Sequence, residues 1–558
     1  MSITRRALLR GSAYAALGAG LSTTLPRIAL AQDTSAIRPI TLYSRAQAAN
    51  PQQYQSAELI AQAWSDLGLQ VTVNGLPQNQ LSDIVWYNRN SWDVTMWQMV
   101  GRPERSDPDD FVMNLFHSSN IETGYNFVGY NNPDYDAAAE QQRLAVDRDA
   151  RHALIIKAQE LVNADQPYSF LVYPTKSYAF DKTVLDGATM VNQPGLGIRN
   201  FLSYVAVEPL GAQRDLITNT ANELNAINPF YISGGGDSWI TECIWDRVMR
   251  IGEDGLPQPW AAESVVWDEA GTTATITLRD GMTFHDGQPV RIEDVIFSLE
   301  APQGENVAPM YRPFVTPITA MAKVDDRTMT LTLDQPNAAF ETSTLSKMNI
   351  VPEHVWAPLL ARLSAGETAE SVLEESRIGS GPFKFDRWNQ SEVVLSSVKD
   401  HFAAPKMDRV IMRVVLNVEA ALGMLRSGEL NFLTDYTGDP QLLLDAATAD
   451  GDIEVVDVVD MGFQFLGYNL RRAPFSDPAF RRALSFAINR RLILGAAYNG
   501  FGVPANSHVS PALPFWYDTR TEEIPVGPEV AIQMLEEAGY SIVNGRLHYP
   551  AGQTETLQ

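Results

Sequence analysis

The stretch that most constrains this chain is Leu278–Glu300, LRDGMTFHDGQPVRIEDVIFSLE. Thr273 to Phe284 alternates as a strand does, with Thr275, Thr277 and Phe284 as good strand formers. Asp286-Gly287 then turns the chain, because Gly accepts the positive φ such turns require. Pro289 pre-sets φ for a helix start. Ile292, Val295, Ile296 and Leu299 follow at helical spacing, so the helix buries one face.

The chain around this stretch has 558 residues, enough for several domains of roughly 100–200 residues each. Its formal net charge of -25 argues against nucleic acid as a partner, since phosphate binding needs a basic face. The single cysteine, Cys243, excludes an intrachain disulfide and reads as a small buried apolar side chain. No Cys/His cluster has metal-ligand spacing, so no metal or cofactor is expected. GxSxG, P-loop and HExxH patterns are absent. Paired aspartates such as Asp107 and Asp109 read as turn residues.

Residues 1–31 read as a twin-arginine export signal: Arg5-Arg6, a weakly apolar stretch from Ala13 to Leu25, then Ala29-Leu30-Ala31 as an A-x-A cleavage site. That implies a periplasmic location. Beyond it, Pro39–Ser44 predicts a strand, and Ala57, Ile60, Trp64 and Leu67 predict a helix closed by Gly68. Val71–Val73 and Asp93–Val100 predict further strands, Asp149–Asn163 a helix and Phe170–Tyr173 a strand. Alternating strands and helices imply an α/β domain with a mostly parallel sheet. Further along, Ile240–Met249, Val418–Arg426 and the segment around Phe480–Ile488 predict helices. Arg481, Arg482, Arg490 and Arg491 lie off the apolar face of the last and read as solvated.

The Leu278–Glu300 stretch resembles the signature of the family-5 extracellular solute-binding proteins, the peptide-binding components of ABC importers. The resemblance continues through ELNAINPF, NIVPEHVW, RIGSGPFKF, ALGMLRSGELNF and PFSDPAFRRALSFAINR within residues 212–494. MWQMV, DPDDFVMNLFHSSN, GYNNPDYDAAAEQ and QPYSFLVYPT within 38–205 resemble the family's C-terminal third. The order is therefore inverted. The resemblance implies one α/β, two-lobed periplasmic binding protein (type II, large peptide-binding class) with an extra subdomain, circularly permuted; a gene-model artefact or truncated tandem pair is the rival. The expected divisions are 38–205 (C-terminal lobe, returning to the first), 206–213 (linker), 214–250 (first lobe), 251–376 (inserted subdomain), 377–460 (first lobe) and 461–558 (C-terminal lobe).

The same resemblance implies a ligand held extended between lobes that close about a hinge. Met96, Trp97 and Gln98 would face it from one lobe, and Ser233, Gly234, Gly235, Gly236 and Asp237 from the other, the glycines admitting close approach. Val100 stands where peptide binders of the family carry an aspartate for the α-amino group, and Arg102 and Arg105 lengthen the following loop. Arg102 is a candidate for a ligand carboxylate, and Asp107, Asp109 or Asp110 for the missing acid. The expected partners are a small-molecule or oligopeptide ligand and an inner-membrane ABC permease, with the protein a monomer and not an enzyme. Opines, oligosaccharides and metal–chelate complexes remain alternative ligands. A receptor for a membrane sensor and a periplasmic hydrolase remain alternative functions.

Overall fold

The computed structural model describes residues 34–553 except 123, 223, 225–226, 231–234, 305–307, 309–310, 368–376 and 521–525. The expected export signal, residues 1–31, lies outside them.

Strand β1 (Ile40–Arg45) buries Ile40, Leu42 and Ser44, the period-two pattern of a strand covered on one face. Helix α1 (Pro51–Ser65) starts where the Asn50 side chain accepts the Gln53 N–H at 2.9 Å, a cap followed by proline at the first position. Gly68, at φ +85°, ends the turn beyond it. Strand β2 (Val71–Leu76) returns parallel to β1. Strand β3 (Val94–Met99) joins the other edge of β1, parallel, through Leu42↔Val94 and Tyr43↔Thr95.

The parallel arrangement stops there, and the sheet is mixed. Strand Phe463–Tyr468 runs antiparallel to β3 with Phe465 opposite Trp97, and β4 (Tyr168–Asp181) runs antiparallel to Phe463–Tyr468. Phe463–Tyr468 arrives from the other lobe through a hinge, so no crossover helix forces it parallel.

β4 makes that hinge. Its first half pairs with Gln464–Gly467 and with Gly502–Pro504 in one lobe. Its second half, from Thr175 to Asp181, pairs antiparallel with strand Ile453–Val459 in the other. The sequence reading ends this strand at Tyr173; the structure carries it through Pro174, which sits opposite Gly502. At the crossing, Asp460 N–H donates to the Pro174 carbonyl at 2.9 Å. A side chain at Gly462 would collide with the Met99 carbonyl, so glycine lets the two backbones touch.

The second lobe holds a sheet in the order Phe383–Trp388, Glu392–Ser397, Arg409–Val414, Asp215–Thr220, of which only the last pair is parallel. A separate antiparallel sheet, ordered Ala262–Trp267, Thr273–Leu278, Thr328–Leu333, Ile318–Lys323, lies within residues 251–376. The strand of the opening stretch stops at Leu278, not Phe284, and its helix is Ile292–Glu300. Arg291 occupies the cap position. The Asp294 carboxylate accepts its N–H at 2.8 Å, so an acid at the third helical position supplies half of a capping box. The helix expected over Ile240–Met249 instead spans Gly235–Ile244. The Ile244 carbonyl is drawn off by Gly381 N–H at 2.8 Å, and Met249–Ile251 forms a short strand.

Arg482 and Arg491 are exposed, as read from sequence, but Arg481 and Arg490 are buried. Each spreads its guanidinium over backbone carbonyls: Arg481 over Asp165, Gln166 and Phe475, Arg490 over Phe170, Ser485, Ile488 and Ala505. A hydrophobic periodicity cannot register an arginine that is buried by hydrogen bonding.

The two described ends of the chain meet. Ile37 N–H donates to Leu547 and Tyr549 N–H to Ser35, both at 2.9 Å. They also share one core, in which Ile40 and Trp64 pack with Tyr468, Leu484 and Leu547. Trp64 stacks on Tyr468 at 6.1 Å and its Nε1–H donates to the Leu484 carbonyl. Residues 208–213 form a largely exposed link into the Asp215–Thr220 strand of the second lobe.

Candidate functional site

β3 presents Trp97 and Gln98, both half-buried, to the space between the lobes, while Met96 is buried in the sheet core. Trp97 packs 5.7 Å from Trp86 and 6.2 Å from Phe127. Gln98 accepts from Gln464 Nε2 at 2.6 Å. Beyond Thr95, β3 has no strand partner on its β1 side among the described residues, which leaves an edge open to an extended ligand.

A cavity of about 330 Å³ lies here. Trp97, Gln98, Val100 and Arg102 wall it from one lobe; Trp239, Glu242, Tyr311 and Lys347 wall it from the other. The loop after β3 sorts its charges. Arg102 reaches the cavity half-buried. Asp107 does not: it is turned to Arg151, which grips it at 2.6 and 2.7 Å, and it accepts the Asp109 N–H at 2.9 Å. A carboxylate held in a two-pronged pair is not available to a ligand. Asp109 is likewise taken by Arg143 at 2.8 Å. Asp110 is the aspartate of this loop that lines the cavity. It accepts from Arg105 Nε at 2.8 Å and Asn114 at 2.9 Å, with Lys347 3.8 Å away across the cleft.

Of the second expected segment, Ser233 and Gly234 lie outside the described residues. Gly235, Gly236 and Asp237 begin a helix where a glycine loop was expected. That helix brings Ser238, Trp239 and Glu242 to the cavity, residues the sequence reading passed over. Ser238 and Trp239 stand four and three residues before Glu242, the spacings that bring helical side chains to one face. Lys347 and Arg247, from the far side, carry no local signal of a site.

Burial alone would raise the Glu104 carboxyl, but Lys347, Arg102 and Arg247 outweigh it and hold it below the usual carboxylate range. Asp110 is held low in the same way, chiefly by Lys347 and Arg105 against the effect of burial. Glu242 goes the other way. Burial lifts it, Arg247 offsets part of the rise, and Glu104 adds repulsion. Arg247 meets Glu242 at Oε1, 3.3 Å away; the buried Oε2 has no hydrogen-bond partner among the described residues. Among the described residues no cluster of His, Cys, Asp or Glu is placed to hold a metal, and no helix is long and apolar enough to cross a membrane.

Residues 257–557 match the sequence profile of the bacterial extracellular solute-binding proteins, family 5, middle region. The oligopeptide-binding protein AppA of Bacillus subtilis (strain 168) is 25% identical over 341 residues, covering 59% of this chain and 60% of AppA. The glutathione-binding protein GsiB of Salmonella typhi is 27% identical over 347 residues, covering 61% and 64%. The chain thus spans about 60–64% of the length of these relatives. A solved structure of B. subtilis AppA with a nonapeptide superposes with a TM-score of 0.49 at 22% identity, over 61% of this chain and 68% of that one.

Proposed function

Because the chain belongs to the bacterial extracellular solute-binding proteins of family 5, we propose that it captures a peptide or peptide-like solute in the periplasm, without chemistry, and hands it as a monomer to an inner-membrane ABC permease. The carrying observation is the cavity between the lobes, walled by Trp97 beside an open edge of β3. The names of AppA and GsiB support the peptide-like class. Export through the Arg5-Arg6 signal would bring the protein there.

The test is a thermal-shift screen of peptides, opines and oligosaccharides, followed by titration of each hit into Trp97→Ala. A ligand at 100 times its Kd stabilises by about 2.7 kcal/mol. Loss of an aromatic anchor is expected to cost about 2 kcal/mol of binding or more, some thirtyfold in Kd. A variant that instead loses about 3–5 kcal/mol of stability at unchanged affinity assigns Trp97 to packing and sinks its role in recognition.

We further propose that the segment order is a circular permutation of the family's. The pairing of residues 35–37 with 547–549 supports this, as does the exposed link at 208–213; surface termini lying close together tolerate such rearrangement. A gene that joins residue 553 to residue 34 through a short linker and opens the chain at Gly211 is expected to yield a monomer with the same circular dichroism and ligand affinity. Aggregation or loss of binding in that variant would reject the permutation.

A further inference from the structure

The two lobes also touch outside both the hinge strands and the cavity. On one side is the corner between the helices Pro133–Leu144 and Arg148–Asp165. They belong to the lobe of β1, where Arg481 holds the Asp165 carbonyl. On the other side is the separate sheet within residues 251–376, through the turn before Thr273–Leu278 and the loop after Thr328–Leu333. Ala338 N–H donates to the Arg143 carbonyl at 2.7 Å. That carbonyl lies in the last turn of its helix, where no intrahelical donor is left for it. Val146, 69% exposed, lies against the turn: a Cβ at Gly271 would stand 3.6 Å from Val146 Cγ2 and 3.7 Å from Pro336 Cβ. None of these five residues lines the cavity.

Both sides of this contact are anchored. His285 N–H donates to the Gly379 carbonyl at 2.8 Å and its Nε2 to the Gly381 carbonyl at 2.9 Å, just before the second-lobe strand Phe383–Trp388. Its Nδ1 accepts the Gly379 N–H at 3.3 Å, which leaves the ring proton on Nε2. Ile350 N–H adds a bond to the Asp246 carbonyl at 2.8 Å. The separate sheet therefore moves with the second lobe. Arg143, for its part, grips Asp109, next to the cavity-lining Asp110.

We infer that this helix corner and the separate sheet form a latch that holds the lobes shut, so that its strength sets how often the cavity opens. A hinge with two states shifts by whatever contact one state makes and the other loses. Here that contact is one backbone hydrogen bond and one apolar touch, small enough to break and remake as the lobes move. Such a latch acts on lobe motion, whatever solute the cavity takes. Charge tunes it. The turn against Val146 carries the exposed Asp268 and Glu269, and the loop before Pro336 starts with the exposed Asp334. A cation at position 146 is drawn to this side and an anion is pushed from it.

The experiment compares the full secreted chain with Val146→Glu and Val146→Lys, with no solute added. Val146 lies on the surface, so both variants should keep the wild-type circular dichroism. Opening is read by small-angle X-ray scattering and by hydrogen exchange in a peptide containing Ala338. Val146→Glu is expected to enlarge the radius of gyration and to speed exchange at Ala338 by about threefold or more, and Val146→Lys to slow it by a similar factor. Both differences should shrink in about 1 M salt, where the screening length is about 3 Å. Exchange within Thr328–Leu333 should stay the same in all three proteins, because the latch and not the sheet is altered. Equal exchange at Ala338 in the three proteins overturns the latch, as does a shift of the same sign in both variants. Faster exchange in Val146→Glu without a larger radius means that the corner frays alone, and overturns it too. None of these readouts uses a solute, so a failed solute screen and a failed latch are told apart.

Discussion

Arg490→Met will cost this protein roughly 3 kcal/mol or more of unfolding free energy, because each buried acceptor left without a donor costs about 1–3 kcal/mol. Arg490 is 5% exposed and has no acidic partner among the described residues; it reaches Phe170 O at 2.6 Å, Ser485 O at 3.1 Å and Ala505 O at 3.2 Å. Burial pushes its guanidinium down to about 10, with Tyr468 offsetting only part. The side chain therefore ties the hinge strand β4 to the helix Arg490–Ala497 and to the strand after it. Methionine fills similar space but donates nothing, and lysine keeps the charge but lacks the fork, so Arg490→Lys should recover little. Urea unfolding checks this through the midpoint. A loss under about 1 kcal/mol would mean that the carbonyls find other donors and that Arg490 is not the tie described.

Asp109→Ala is expected to cost about 3–5 kcal/mol, the usual effect of removing one member of a buried ion pair. Asp109 is 1% exposed and takes both prongs of Arg143 at 2.8 Å plus the Gln142 amide. Its removal leaves Arg143 buried beside Arg151 with Asp107, itself paired to Arg151, as the carboxylate still acting on it. Replacing both partners, Asp109→Leu with Arg143→Met, should recover most of the loss. Acid titration gives an independent check. Burial raises the Asp109 carboxyl, but Arg143 and Arg151 with the side-chain hydrogen bonds outweigh it, and the group lies below its ordinary range. Its stabilisation is thus complete above the unfolded carboxylate pKa, near ~3.9, and disappears as pH falls through the lower folded value. The variant should show a shallower loss of stability in that acid window than the wild type. Because this network also seats the loop carrying Arg102, ligand affinity should weaken together with stability.

These predictions concern side chains that the sequence shows only in part. Apolar periodicity locates α1 and the helix Pro478–Ala487 well, since their buried residues recur at helical spacing. It fails where polar atoms do the burying: Arg481 and Arg490 sit off the apolar stripe yet are enclosed by backbone carbonyls. It fails again at β4, where Pro174 looks like a strand end but lies at the crossing between lobes. Trp97 and Gln98 were legible through the motif that carries them, and Arg102 through its place in a lengthened loop. Asp107 was misplaced because its partner, Arg151, lies 44 residues away, and long-range pairing has no local trace. Trp239 and Glu242 could have been found from helical spacing had the helix been started at Gly235.

The described ends of the chain, touching through Ser35 and Gln553, belong to the same lobe, whereas residues 208–213 lead into the other. This decides how a biosensor could be built from the protein. Two fluorescent domains fused to the ends would travel together and keep a constant energy-transfer signal while the lobes close. A fluorophore inserted at Gly211, where the surface is open, and a second at either end would straddle the hinge ribbon of β4 and Ile453–Val459. Under the proposed solute binding, that pair would convert closure of the lobes into a change of colour.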